Sequence, residues 1–158
     1  MENYTVKSIG RIRFSDGRAQ IVLDPRYTSA TAGLEGFSHL QVIWWFSHFD
    51  RDPDRSVLET EKPYKSAPGF LGTFATRSPR RPNPIALSCV EVLEIDRENG
   101  ILTIGYIDAE EGTPLLDIKP YTPSLDRVNT PRTPDWCGHW PKDVESSGDF
   151  AWEEEFMF

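Results

Sequence analysis

The chain has 158 residues, the size of a single domain, and 38% of them are hydrophobic, with five Trp and nine Phe. A composition this rich in core-forming residues excludes a disordered chain and predicts a globular domain that needs no disulfide or metal to hold it together. The formal net charge of −8 argues against a protein that binds nucleic acid over its whole surface, because binding to the phosphates is favoured by positive charge.

No segment is typical of export or membrane insertion. The first residues lack the apolar core of a signal peptide, and no apolar run approaches the roughly 20 residues that span a bilayer. Only Cys89 and Cys137 are present, and a reducing compartment would leave both as thiols. We therefore expect a cytoplasmic protein without disulfides.

Short β-branched and aromatic runs separated by Gly, Pro, Asn and Asp dominate the chain, and no long window has helical periodicity. This pattern predicts a mostly β fold. The candidate strands are Thr5 to Phe14, Gln20 to Leu23, His39 to Phe49, Leu71 to Thr76, Ile85 to Ile95, Ile101 to Ile107 and Leu115 to Ile118.

Between the second and third strands, the pattern favours a short helix from Thr28 to Leu34, capped by Thr28 or Ser29 and ending at Gly36. The next strand, LQVIWWF from Leu40 to Phe46, is apolar on both faces. We expect it to be a central strand or to lie at a subunit contact, which makes a homodimer a hypothesis.

The clearest local pairing is a hairpin. Val90 to Asp96 and Ile101 to Ile107 flank a tight turn. Asn99 and Gly100 are predicted to supply the positive φ values that such a turn requires.

The tail combines acidic and aromatic residues. Between Asp135 and Phe158 it carries seven acidic residues and one Lys. Its candidate anchors are Trp136, Trp140 and Trp152. We predict a main domain over residues 1–129 and an irregular acidic strap over residues 130–158 that packs on it.

The most unusual segment is GFLGTFATRSPRRPNPIALS, from Gly69 to Ser88. Its prolines Pro79, Pro82 and Pro84 fix φ and remove backbone donors, which predicts a stiff, extended loop. The loop carries Arg80, Arg81 and Asn83, and arginine suits a carboxylate or phosphate ligand because its guanidinium makes bidentate hydrogen bonds. The alternative is a rigid connector whose arginines make only surface ion pairs.

A second polar segment is IDAEEGTPLLDIKPY, from Ile107 to Tyr121. It places Asp108, Glu110 and Glu111 between a strand and a glycine turn, where carboxylates can meet a polar ligand. A solvated acidic turn is the alternative, and composition alone favours it.

Other chemistries find little support in the sequence. The Cys and His residues lack the close paired spacing of structural zinc sites, so no metal is expected. Ser38 and His39 are neighbours on a predicted strand, where they would point to opposite faces. The glycine spacing matches neither a dinucleotide fingerprint nor a phosphate loop, so any cofactor must be held in another way.

Three blocks carry a family resemblance: GLEGFSHLQVIWWF (Gly33 to Phe46), GTFATRSPRRPNPIALS (Gly72 to Ser88) and EGTPLLDIKPY (Glu111 to Tyr121). In order and spacing they resemble the signature blocks of the TrmO (TsaA or YaeB-like) family, over about residues 5 to 126. The resemblance implies a dimeric β-barrel, not a Rossmann fold, that binds S-adenosylmethionine. It also implies methylation of the exocyclic nitrogen of threonylcarbamoyladenosine next to the anticodon of tRNA.

The resemblance also assigns residues. Those matching cofactor-binding positions are Arg77, Leu87, Ile107, Asp108, Ser47 and His48. Those we expect to meet the tRNA backbone or the substrate carboxylate are Arg80, Arg81, Asn83 and Lys119, with Tyr121 as a stacking ring. Asp108 or His48 is the candidate to accept the proton that the acceptor nitrogen loses.

Three departures from the family pattern bear on function. The family's Pro, Arg, Gln cofactor loop is replaced by a short turn from Phe14 to Gln20, and Glu111 stands where Asp is usual. The acidic tail has no counterpart in the better-known bacterial members. A methyltransferase of a small molecule or protein, and a non-catalytic S-adenosylmethionine-binding module, are therefore kept as alternatives.

Overall fold

The computed structural model describes residues 2–157, within which there are eight strands and four short α-helices. The strands are β1 (Gly10–Ser15), β2 (Arg18–Leu23), β3 (His39–Trp45), β4 (Glu59–Glu61), β5 (Phe70–Gly72), β6 (Ile85–Asp96), β7 (Ile101–Ile104) and β8 (Pro114–Pro120). The α-helices are α1 (Asp52–Arg55), α2 (Pro123–Asp126), α3 (Val144–Ser147) and α4 (Trp152–Glu155). Short 3-10 helices span Pro25–Thr31, Ser47–Phe49, Thr73–Ala75 and Asp135–Cys137.

The chain divides into two compact units. The first comprises the residues up to His48 together with Pro84–Arg127, and the second comprises Phe49–Asn83 together with the residues from Val128 onward. The predicted boundary falls after residue 129 and leaves residues 49–83 in the main domain, so the predicted and the observed divisions differ in that segment. The predicted domain organisation stays a prediction.

The first unit is a closed antiparallel barrel with the strand order β1-β2-β7-β6-β3-β8, in which β8 pairs back to β1. Closure pairs the first strand of this order with the last, at Gly10 and Arg11, so the sheet has no free edge strand. Register shifts near Ile43 on β3 and near Val92 on β6 interrupt two of the ladders, and such irregularities bend a strand.

Alternation along the strands builds the barrel core. In β3, Leu40, Val42 and Trp44 are buried while the residues between them are half-buried. β2 buries Ala19, Ile21 and Leu23 at the same period of two, which is the spacing that sends alternate residues to one face of a strand. The other barrel strands add further buried side chains to this core. The largest fully buried side chains include Ile12, Ile21, Leu102, Ile104 and Leu115.

The second unit has its own small core. β4 and β5 form a two-stranded antiparallel sheet, and the Tyr64 ring stacks on Trp136 at a centroid distance of 5.6 Å. Tyr64 also meets Trp140 edge-on at 4.9 Å, and Trp140 meets Trp152 edge-on at 5.3 Å. The three tail tryptophans are thus joined by aromatic packing to one another and to Tyr64, an arrangement that adds to the apolar area buried.

Several predicted bounds were wrong. β1 begins at Gly10 instead of Thr5, β3 ends at Trp45 instead of Phe49, and β7 ends at Ile104 instead of Ile107. The strand predicted from Leu71 to Thr76 is replaced by β5 and the 3-10 helix Thr73–Ala75. β4, with the polar sequence ETE, was missed because it lacks the apolar alternation that marks a strand.

The predicted helix starts earlier than expected and is a 3-10 helix. It spans Pro25–Thr31, and the Asp24 side chain caps it by accepting a hydrogen bond from the Arg26 backbone at 3.0 Å. The same carboxylate contacts the Arg26 guanidinium, and these bonds lower the pKa of Asp24 to about 2. Asp before Pro is a recognised helix start, and this signal displaces Thr28 or Ser29 as the cap.

The predicted hairpin is confirmed, since β6 pairs with β7 from Val92 opposite Ile104 to Asp96 opposite Ile101. Gly100 has a positive φ of 67°, as expected. Asn99 does not have a positive φ, which corrects that part of the prediction. Its backbone and side-chain nitrogens instead bond the Asp96 carboxylate at 3.0 and 2.7 Å, and this lowers the pKa of Asp96.

Candidate functional site

The end of the aromatic strand and the predicted acidic turn meet in the first unit. β3 ends at Trp45, and the following 3-10 turn exposes Ser47 and His48. Nε2 of His48 lies 2.7 Å from Oε2 of Glu110, in the acidic turn after β7. This contact joins the end of the aromatic strand to the segment that carries Asp108.

The acidic turn places a buried residue next to an exposed one. Ile107 is 4% exposed and belongs to the barrel core, whereas the Asp108 side chain is exposed. Burial and then the Asp108 charge raise the pKa of the neighbouring Tyr106 phenol. The Asp108 carboxylate therefore lies at the surface, and its backbone directly follows the buried core residue Ile107.

Leu87 lies on the outer side of β6. It pairs with Ile43 of β3, four residues before Ser47, and it is 48% exposed. The backbone amide of Phe46 bonds the carbonyl of Pro84 at 2.8 Å, so β6 begins beside the residues that lead into Ser47. An exposed leucine here is a candidate apolar surface for a ligand.

Lys119 and Tyr121 lie toward the other end of β3. Lys119 pairs with Gln41 and bonds Asp117 at 2.6 Å, while the Tyr121 ring meets His39 edge-on at 6.3 Å. β3 has seven residues, so its two ends are separated by about 20 Å. Within this chain the two predicted substrate residues Lys119 and Tyr121 are therefore not brought next to His48.

In the second unit the arginine and proline segment is held by many side-chain contacts. Nε of Arg80 lies 3.3 Å from Oδ1 of Asp54, a residue of α1. Arg81 donates from Nη2 to the carbonyls of Thr73 and Thr76 at 3.2 and 2.9 Å. The Arg81 guanidinium is thus directed toward its own loop, and its predicted role in binding substrate stays a prediction.

Asn83 and Arg77 complete that segment. Oδ1 of Asn83 accepts a long hydrogen bond from Nη2 of Arg55 at 3.4 Å, and both residues belong to the second unit. The Arg77 side chain is exposed. Burial raises the pKa of Tyr64, and a hydrogen bond with the Arg77 backbone opposes that shift. The Arg77 backbone therefore contacts the aromatic core of the second unit.

The sequence did not indicate which residues contact the predicted site residues His48 and Arg80. Glu110 was noted only as part of an acidic turn, and neither Asp54 nor Arg55 was singled out. Local composition carries a weak signal for them, since DRDPDR is a dense run of opposite charges before the arginine segment. The partners of these residues in the arginine segment are distant in sequence, since Pro82 comes 27 positions after Arg55.

A shallow cavity of about 330 Å³ lies beside β1 and β2 in the first unit. Its lining residues are Ser8, Gly10, Arg11, Arg13, Val22, Leu23 and Asp24. The predicted site residues do not line this cavity. Among residues 2–157, no group of three or more His, Cys, Asp or Glu side chains is placed to hold a metal ion.

No helix in the described part of the chain is long and apolar enough to cross a bilayer. The fold and the site together define the class of this protein. It is a small, closed, six-stranded antiparallel barrel with a paired histidine and carboxylate just after the end of β3.

The family model of the tRNA-methyltransferase O N-terminal domain matches residues 11–127. The chain belongs to this family, which confirms the resemblance that the three sequence blocks indicated.

Two relatives show which named proteins the chain is similar to. An S-adenosyl-L-methionine-binding protein of Archaeoglobus fulgidus is 40% identical over 119 residues, which cover 74% of this chain and 78% of that protein. The tRNA (adenine(37)-N6)-methyltransferase of Escherichia coli is 35% identical over 116 residues, which cover 72% of this chain and 48% of the enzyme. The match therefore spans less than half of the E. coli enzyme.

Solved structures agree with the fold. The crystal structure of TrmO from Pseudomonas aeruginosa matches with a TM-score of 0.66 and 30% identity, over 85% of this chain and 62% of that one. A second TrmO crystal structure matches with a TM-score of 0.64 and 31% identity, over 84% of this chain and 61% of that one. The predicted mostly β barrel, distinct from a Rossmann fold, is confirmed.

Proposed function

We propose that this chain is an S-adenosylmethionine-dependent methyltransferase acting on tRNA, with threonylcarbamoyladenosine next to the anticodon as its substrate. The observation that carries the proposal is the family match over residues 11–127, supported by the name of the E. coli relative. A cytoplasmic location and a homodimeric state are parts of the same proposal.

The residues of the first unit suit S-adenosylmethionine chemically. The ligand combines an apolar adenine, a cationic sulfonium and a zwitterionic amino acid end. Leu87 offers exposed apolar surface, and the exposed carboxylate of Asp108 suits a cationic or hydroxyl group. Ser47 adds an exposed hydroxyl beside His48. Arg77, in the second unit, is kept as a predicted contact of the cofactor.

His48 is the better placed of the two candidate bases. Its Nε2 is held by Glu110 at 2.7 Å, and a carboxylate bonded to one ring nitrogen fixes the orientation and tautomer of a histidine. In the neutral tautomer that donates from Nε2, Nδ1 carries the lone pair that can accept a proton. Asp108 is the second candidate, since its side chain is exposed in the same acidic segment.

The chemistry needs little beyond positioning. S-adenosylmethionine supplies a methyl group that its sulfonium already activates. His48 takes the proton that the acceptor nitrogen loses as that nitrogen gains the methyl group, so the charges balance without a covalent intermediate. Arg80, Arg81 and Asn83 are proposed to meet the tRNA backbone or the substrate carboxylate. Lys119 and Tyr121, at the other end of β3, are proposed to contact tRNA away from the reacting base.

The test uses the purified chain, S-adenosylmethionine with a labelled methyl group, and two tRNA pools, one carrying threonylcarbamoyladenosine and one lacking it. We expect methylated threonylcarbamoyladenosine in nucleoside mass spectra from the first pool only. His48→Gln should lower kcat by about 100-fold, because general base catalysis contributes on that scale. Glu98→Gln, in the exposed β6–β7 turn, is the control. Label in neither pool would refute the proposed activity.

A second candidate is a non-catalytic S-adenosylmethionine-binding module. It is favoured by the name of the A. fulgidus relative, an S-adenosyl-L-methionine-binding protein, of which the match covers 78%, against 48% of the E. coli enzyme. Calorimetry separates the two candidates. Cofactor binding without methyl transfer to either tRNA pool would support the module, whereas turnover would support the enzyme.

A further inference from the structure

Asp54 is a buried carboxylate that the predicted site does not include. Its side chain is 7% exposed, and Oδ2 lies 3.1 Å from Nε and 3.0 Å from Nη2 of Arg51. The other oxygen, Oδ1, lies 3.3 Å from Nε of Arg80. A buried charge is costly unless it is paired, so this carboxylate favours conformations in which both guanidinium groups stay beside it.

Arg55, the next residue of α1, contacts the end of the same segment. Its Nε donates to the carbonyl of Pro82 at 3.0 Å, and Nη2 reaches Asn83 at 3.4 Å. Nη1 bonds Asp50 at 2.8 Å, which fixes the orientation of the guanidinium. The two neighbouring residues of α1 thus hold the loop at Arg80 and at Pro82.

The loop needs such contacts because its backbone offers few hydrogen bonds. Pro79 and Pro82 have no amide donor, and no strand spans the residues from Arg77 to Asn83. Proline restricts φ but does not determine where a loop lies in the unit. Side-chain contacts from α1 position the loop. Arginines that are already positioned lose less conformational entropy when they bind an anion.

We propose that Asp54 and Arg55 are positioning residues that fix the segment from Arg77 to Asn83 for binding an oxyanion of the substrate. Asp54 engages Arg80 through Nε, so the two terminal nitrogens can still form a bidentate pair with a phosphate or carboxylate. The inference rests on the proposed function, in which this segment binds tRNA. The oxyanion belongs either to the tRNA backbone or to the threonyl carboxylate of the modified base.

The first measurement is independent of catalysis. The Nε–H signals of arginine side chains are recorded by NMR in the full chain, and Arg80→Lys assigns the Arg80 signal. Asp54→Asn should accelerate solvent exchange of that signal by about tenfold, because the charge-assisted contact is lost. Arg51→Gln is the matched control, since Arg51 bonds the same carboxylate but lies outside the segment. Unchanged Arg80 exchange in Asp54→Asn would overturn the inference.

The second measurement is kinetic. We expect Asp54→Asn to raise KM for tRNA by about tenfold with little change in kcat, and Arg80→Gln in that background to add much less than it does alone. The affinity of Asp54→Asn for each tRNA pool is also measured. Weaker binding only of the pool with threonylcarbamoyladenosine identifies the threonyl carboxylate as the oxyanion, and equally weakened binding of both pools identifies a backbone phosphate. Full additivity of the two substitutions would overturn the proposed coupling.

Folding and activity are controlled separately. If Asp54→Asn does not fold, Arg55→Gln tests the same role from the other contact, with the NMR chemical shift of the Asn83 side-chain amide as its readout, because Arg55 donates to the oxygen of that amide. If the unmodified chain methylates no tRNA, the proposed function fails while the NMR comparison still decides whether Asp54 holds Arg80.

Discussion

The carboxylate of Glu111 lies 2.6 Å from Nη1 of Arg13, a residue 98 positions earlier in the chain. Its second oxygen accepts a hydrogen bond from the backbone amide of Phe14 at 2.7 Å. The acidic turn is therefore tied to the end of β1 by both oxygens of one side chain. Glu111 stands where the family usually has the shorter Asp, and both of its carboxylate oxygens form hydrogen bonds with β1.

The Glu111 contact predicts a pH-dependent contribution to stability. The Arg13 side chain, and then the Phe14 amide, lower the pKa of Glu111 below 4.5. A depressed pKa stabilises the folded state above the unfolded value, and this contribution is lost as the pH falls through the folded value. Glu111→Gln should therefore lower the melting temperature slightly near pH 7, and the difference should shrink as the pH falls below 4.5 and through the lowered pKa of the folded state.

Thermal unfolding from pH 3 to pH 7 measures this difference, and Glu94→Gln, an exposed change on β6, is the control. A gap between Glu111→Gln and the unmodified chain that stays constant across the range would contradict the role of the carboxylate.

Gly10 is predicted to be required for the closure of β1 against β2. A Cβ at this position would lie 2.4 Å from the carbonyl oxygen of Val22 and 2.9 Å from Cα of Leu23. Backbone atoms cannot give way as a side chain can, so Gly10→Ala should lower the free energy of unfolding by about 1–3 kcal/mol. Gly69→Ala, where a Cβ meets nothing within 4 Å, should change it little. Urea denaturation followed by circular dichroism compares the two variants, and equal effects would refute the steric explanation.

The barrel was largely predictable because its signal is local. Short β-branched and aromatic runs predicted the strands that contain Ile21, Leu40 and Val42, and the structure buries all three side chains completely. Such runs consist of neighbouring residues, so predicting a strand from them needs no knowledge of the partner strand. Strand ends were less accurate because hydrogen bonding to neighbouring strands, and not composition, decides where a strand stops.

The contacts of the site were not predictable in the same way. His48 meets Glu110, Arg80 meets Asp54 and Arg13 meets Glu111 only because the chain folds back on itself. One sequence shows which charges are present but not which of them pair. Ser38 is a further example, since its hydroxyl lies 2.9 Å from Nδ1 of His39 although opposite faces were expected. Ser38 precedes β3, so strand alternation does not apply to it.

In the tail, His139 is predicted to stabilise the second unit through Glu155. Glu155 is 6% exposed, and its Oε2 lies 3.0 Å from Nε2 of His139. His139→Ala should lower the free energy of unfolding by about 1–3 kcal/mol, because a buried acceptor loses its partner. Adding Glu155→Gln should recover part of the loss, since the unpaired charge is then removed. Chemical denaturation followed by tryptophan fluorescence measures both effects, and a double variant no better than His139→Ala would contradict this explanation.

The same pair has a pH signature. Burial raises the pKa of Glu155, but contacts with His139 and Trp140 outweigh it and the net pKa is lowered from 4.5. The stabilisation is therefore present above pH 4.5 and is lost as the pH falls through the folded value. The difference in stability between His139→Ala and the unmodified chain should shrink on acidification, and a difference that grows instead would assign the effect to another group.

Leu87 and Leu93 provide a matched test of the cofactor surface. Both are exposed leucines on β6, at 48% and 50%, but Leu87 alone pairs with the part of β3 that leads to Ser47 and His48. If Leu87 covers an apolar part of S-adenosylmethionine, Leu87→Ala should weaken binding by about tenfold, since each buried methylene contributes about 0.8 kcal/mol. Leu93→Ala should leave the affinity unchanged, and neither change should alter the melting temperature much, because both side chains are already half exposed. Isothermal titration calorimetry with S-adenosylmethionine gives the affinities, and equal values for the two variants would remove Leu87 from the site.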